Sequence, residues 1–133
     1  MSAATVDPHR MMVLDGQMLS DAREVATRQL WLLAARIGEV DTPDAVADAL
    51  AGVVRVGHVA GLLDEPGWPA GDYPERTLDG DGRRVLAAAA REVADWYRGM
   101  ADHVEAPGVD FCDAQTAAAE RLLDALDATG GVS

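Results

Sequence analysis

Between residues 64 and 81, Pro66, Pro69 and Pro74 alternate with Gly67, Gly71 and Gly80. Proline removes a backbone donor and clashes with the preceding turn, so no long helix crosses this stretch. The chain must fold as two halves joined by a loop of unusual length. Loops that long without a periodicity of their own often carry function.

Both flanking halves show helical periodicity. In the first, Leu19, Ala22, Ala26, Leu30, Leu33 and Ile37 recur at three- and four-residue intervals, which puts them on one face of a helix ending near Gly38. Asp7-Pro8 offers a cap and a first-turn proline for its start, with Gly16 as an interruption. Thr42-Pro43 opens a second helix in the same way, with Val46, Leu50, Val53, Gly57, Ala60 and Gly61 on its inner face. A strand over Val53–Val59 competes, because β-branched residues favour one, but the cap and the length of the apolar segment favour helix. Beyond the loop, a third helix begins near Asp81 and buries Leu86, Ala89, Val93, Trp96, Met100 and Val104, stopped by Ala106-Pro107-Gly108. A fourth starts at Asp110 as N-cap and buries Phe111, Ala114, Ala118, Leu122, Ala125 and Leu126, up to Gly130-Gly131.

The expected architecture is all-α: an antiparallel four-helix bundle with a long Pro/Gly-rich loop between helices 2 and 3. The 133 residues suit a single helical domain, with flexible tails at 1–6 and 129–133 and the loop at 64–81. Whether the loop crosses the bundle or returns as an elaborated hairpin stays open.

Charge narrows the function. Twenty-three acidic residues against 11 basic ones give a net charge of -12, which argues against direct binding of a nucleic-acid backbone. All the basic residues are Arg, with no Lys and no Asn, a bias that reads as codon pressure in a GC-rich bacterial genome. The acidity concentrates in two segments, -7 over residues 41–82 and -4 over 107–133. On the fourth helix Asp113, Glu120, Asp124 and Asp127 form an acidic face, while Arg84, Arg91 and Arg98 line the outside of the third, with Arg98–Asp102 as an intrahelical pair. An acidic face of this kind suits solvent, a basic protein partner or, less readily, mimicry of a nucleic acid.

The apolar run Ala45–Leu63 approaches the length of a bilayer span, but Asp48, Arg55 and His58 interrupt it, so it reads as a buried helix and not a membrane segment. Met11–Leu14 is too short for a secretory signal, and a lone Cys112 fits a reducing compartment. The expected location is cytoplasmic.

The candidate sites are few. Trp31 falls opposite the inner face of the first helix, beside Thr27, Leu32 and Ala35, in a stretch that is apolar all round. Such a stretch implies a covered surface, and an aromatic anchor there points to self-association or a protein partner. The alternative cover is the chain's own N-terminal segment or loop. Trp68 and Tyr73 make the loop either a plug on the bundle or a recognition element. Glu92, Trp96, Met100 and His103, with His58, outline an alternative pocket for a small molecule or metal, although no pair of them has ligand spacing. Asp79-Gly80-Asp81-Gly82 resembles the opening of a calcium loop, but the rest of the pattern fails and a helix cap explains it better. No catalytic motif of high specificity is present and no cofactor is expected. The favoured reading is a non-enzymatic bundle that acts by protein–protein association, as a homo-oligomer or with a basic partner.

Overall fold

A computed structural model describes residues 12–63 and 75–130. The order is β1 (Met12–Asp15), α1 (Gly16–Glu39), α2 (Pro43–Leu63), β2 (Glu75–Leu78), α3 (Gly80–Met100), a single 3-10 turn (Ala101–His103) and α4 (Ala106–Gly130). The chain is an all-α four-helix bundle with a two-stranded ribbon at one end.

Local chemistry sets most of the boundaries. Gly16 has φ of +51°, a left-handed conformation that lets β1 turn directly into α1. Thr42 caps α2 through its Oγ1, which accepts from the Ala45 amide at 3.2 Å. Asp79 caps α3 in the same way, its Oδ1 accepting from the Gly82 amide at 2.8 Å. The Asp-Gly-Asp-Gly run is therefore a helix start. Ala106-Pro107-Gly108 does not end the third helix. It is the first turn of α4, where a proline's missing N–H is harmless. At Gly108 a Cβ would lie 2.9 Å from the Val104 side chain, so this tight re-entry needs glycine.

α1 is the central element and packs against all three other helices, α2 most extensively; α3 and α4 form the other close pair. Leu33 of α1 sits against Gly52 of α2, and Arg23 donates to the Leu63 carbonyl at 2.8 Å, satisfying the C-terminus of α2 and fixing the two helices antiparallel. β1 and β2 pair antiparallel with Met12 opposite Leu78 and Asp15 opposite Glu75. Because β1 leads into α1 and β2 into α3, the link from α2 leaves and returns at the same end of the bundle. α2 and α3 therefore run antiparallel, as a hairpin connection requires.

The core contains Leu14 and Leu78 from the ribbon with Leu63, Leu86, Leu122, Val25 and Val93 from the four helices, all essentially inaccessible. Several expected inner faces are rotated. On α2 the buried set is Ala49, Gly52, Val56, Val59 and Leu63, so Leu50 points outward. On α3, Tyr97 takes the place expected for Trp96, and on α4, Cys112 and Gln115 replace Phe111 and Ala114. The expected loop is also shorter, since 75–81 forms β2 and the start of α3, and the expected C-terminal tail loses residues 129 and 130 to α4. Trp68 and Tyr73, the expected helix start at Asp7-Pro8 and the 1–6 tail lie outside the described residues.

The ribbon completes the core, so its inward side chains should count as core. Leu14→Ala is expected to lower unfolding free energy by about 2–5 kcal/mol in urea titration, the range for a buried leucine. A loss below 0.5 kcal/mol would show that the ribbon only decorates the bundle.

Candidate functional site

Polar side chains fix how α1 meets its neighbours. Arg121 of α4 donates from Nε and Nη2 to the two oxygens of Asp21, both at 3.0 Å, and Gln17 adds a bond to Oδ1 at 2.8 Å. Asp21 is buried, and this bidentate fork supplies its counter-charge. The hydrogen bonds, and then the charge of Asp21, hold the Arg121 guanidinium above its ordinary value. Towards α3, Gln29 donates to Glu92 at 2.6 Å, and Arg36 lies 3.7 Å from the same carboxylate.

Around this frame the outer surface carries three features. The first is aromatic. Arg28 places its guanidinium 5.2 Å from the Trp31 ring centre and 5.1 Å from that of Phe111, and Phe111 meets Tyr97 edge-on at 5.8 Å. Trp31 is 65% exposed, so no described part of the chain covers it. Thr27 and Ala35 are also exposed and Leu32 is half-buried; Leu32 and Ala35 line a cleft of about 440 Å³ with Trp96 and Glu92. Residues from α1, α3 and α4 thus form one edge near the α3–α4 connection.

The second feature is a cleft of about 600 Å³ between α1, α2 and α3, floored by Leu33 and Val56 and edged by Arg36, Asp48, Arg55 and Glu92. The third is the outside of α2. Only 28% of its most apolar window is buried, and by length and composition it is the one described helix that could cross a membrane. Leu50, Val54 and Leu62 are exposed on it, Val54 at 71%, and a Cβ added at Gly57 or Gly61 would meet nothing within 4 Å. The expectation that Ala45–Leu63 is a buried helix is therefore wrong for one whole side of it. Most helices apolar all round are buried all round; this one is not.

The alternative pocket is not assembled. Glu92 and Trp96 share a cleft, but Glu92 is already engaged by Gln29 and Arg36. Met100 is half-buried, while exposed His103 lies in the 3-10 turn and exposed His58 on the outside of α2; none of the three lines that cleft. Among the described residues no group of three His, Cys, Asp or Glu could hold a metal ion. On α4, Asp113, Glu120, Asp124 and Asp127 are all exposed, and Glu120 is paired with Arg98 at 2.8 Å. Arg98 also bonds Asp95, three residues before it, in place of the expected Asp102. Cys112 is buried in the core.

The buried polar side chains Asp21, Gln29, Arg83 and Gln115 were missed in the sequence, and one of them stands out. Arg83 is 4% exposed, and its three guanidinium nitrogens have no hydrogen-bond partner among the described residues. The neighbouring Arg84 pairs with Asp81, and nothing in the Arg83-Arg84 dipeptide distinguishes the two. Comparisons with protein-family models, with curated proteins and with solved structures find no match for this chain.

An unpaired buried cation destabilises the fold that contains it. Arg83→Met is expected to raise the unfolding free energy by about 1–3 kcal/mol, measured by urea denaturation. A loss of stability would mean that the guanidinium has a counter-charge.

Proposed function

We propose that this protein acts by association and that its first partner is a second copy of itself. The observation that carries the reading is the amount of large apolar surface a four-helix bundle of this size leaves outward. It falls on the Trp31–Phe111–Trp96 edge and on the outer face of α2. Contiguous exposed apolar surface in a folded chain marks interaction sites. Aromatic residues held in place by Arg, as Trp31 and Phe111 are by Arg28, suit an interface because they lose little freedom on burial.

Chemistry points the same way. Several charged groups of α1 and α3 are engaged in pairs that fix helix packing, Asp21 with Arg121 of α4 and Glu92 with Gln29 and Arg36, and neither His58 nor His103 shares a described hydrogen bond or ion pair with them. A self-associating bundle needs no reactive group, only surface that water leaves at a gain. The acidic face of α4 is charged and exposed in the manner of an ordinary solvated surface, with Glu120 already neutralised by Arg98.

Sedimentation equilibrium tests the reading. The 14.0 kDa chain is expected to show a concentration-dependent mass above that of the monomer. Trp31→Glu then measures the share of the aromatic edge: a weakened assembly assigns that edge to the interface, and an unchanged one assigns the interface elsewhere. A constant monomer mass in the native protein up to millimolar concentration would contradict self-association.

A further inference from the structure

We infer that the outer face of α2 is a two-fold interface, in which α2 packs antiparallel against α2 of a second copy with the axis passing near Gly52 and Val53. This rests on the self-association reading above and names the surface and register that it leaves open.

The outward residues of α2 follow a heptad. Ala47, Ala51, Val54, His58 and Gly61 recur at alternating intervals of four and three, and all are exposed. That spacing keeps one seam facing a partner helix along its length. The seam is flanked on one side by Asp48, Arg55 and Leu62 and on the other by Leu50 and Gly57.

Charge selects the partner and the register. Asp48 and Arg55 lie two turns apart on one flank, too far apart to meet within one helix. Both are exposed, and neither has an ion-pair partner among the described residues, although most of the other arginines on α1, α3 and α4 do. A two-fold antiparallel pairing is self-complementary: it brings Asp48 to the partner's Arg55 and Arg55 to the partner's Asp48. The same register seats Ala51 on the partner's Val54 and Ala47 on the partner's His58. It also lays Leu50 over the partner's Gly57, where the absence of a side chain leaves room. A register shifted by one heptad separates the charges. One placement thus satisfies the apolar seam, the small residues and both charges together.

The competing occupant of an apolar helix face is a bilayer. It would leave Asp48 and Arg55 unpaired within the segment, Arg55 near its middle at about 2.5–3.5 kcal/mol on the insertion scale, and a chain of net charge -12 is repelled by anionic headgroups. A second copy supplies the missing counter-charges.

The full-length chain is used for the test, with sedimentation equilibrium as readout and circular dichroism to confirm that each variant keeps its helices. The native protein is expected to be a dimer, Val54→Glu a monomer, and Asp48→Arg or Arg55→Asp weaker by about tenfold in dissociation constant, since each places like charges opposite one another twice. The double variant Asp48→Arg/Arg55→Asp should recover most of that loss. A double variant as weak as either single one would overturn the register. A dimer untouched by Val54→Glu but lost in Trp31→Glu would overturn the α2 interface and leave self-association standing. A native monomer would overturn both. Flotation of a monomer with neutral phosphatidylcholine vesicles, abolished by Val54→Glu, would show the bilayer to be the occupant and overturn the inference.

Discussion

The structure depends on α1 being shared. Its inward stripe of Leu19, Ala22, Val25, Ala26 and Leu33 is the surface on which the other three helices bury their own apolar faces. α3 and α4 also bury one another, so each has two substantial neighbours. α2 packs chiefly on α1, with lesser contacts to α3 and β2. The imbalance leaves a cleft between α2 and α3 on one side and a bare apolar face on the other. An amphipathic α2 would bear this with a polar outer surface. This one has Ala47, Leu50, Ala51, Val54, Gly61 and Leu62 there, and water is a poor solvent for that surface.

Polar contacts hold α1 in this role. Asp21–Arg121 and Gln115–Glu24 tie it to α4, Gln29–Glu92 ties it to α3, and Arg23 ties it to the end of α2. Partly buried pairs of this type add little net stability, because desolvation offsets much of the attraction, but leaving a buried member such as Asp21 unpaired is costly, and so they select one helix register. The ribbon closes the end where α1, α3 and the C-terminus of α2 converge, with Leu14 and Leu78 reaching into the core from it. Among the described residues Arg83, near the start of α3, is the buried charged side chain that has no described partner.

How much of this was legible in the sequence varies by element. The number and approximate span of the helices follow from apolar spacing and from Thr42 and Asp79 as caps, signals confined to a few consecutive residues. The ribbon was not legible: β1 is the short Met-Val-Leu-Asp and β2 is the polar Glu-Arg-Thr-Leu, and their pairing joins segments at least 60 residues apart. Buried faces were misjudged by one position where two large residues adjoin, as with Trp96 and Tyr97, because the partner helix decides which turns inward. On α2 periodicity picked the wrong inner face, since apolar residues lie on nearly every side and only a few polar ones, such as Asp48, Arg55 and His58, interrupt them. Trp31 was legible as an aromatic opposite the inner face of α1, but whether a partner or the chain's own segments covered it was not; its Arg28 clamp to Phe111 required the fold.

The surface left by this packing is the basis for proposing association as the function, and α2 is where the proposal is most exposed to test. Hydrogen–deuterium exchange across a concentration series addresses it directly. Amides in 43–63 are expected to exchange progressively more slowly as concentration rises, with those near Gly52 and Val53 slowed most, while amides of α3 and α4 are unchanged. Exchange in α2 that does not vary with concentration, or slowing confined to the Trp31 and Phe111 region, would contradict it.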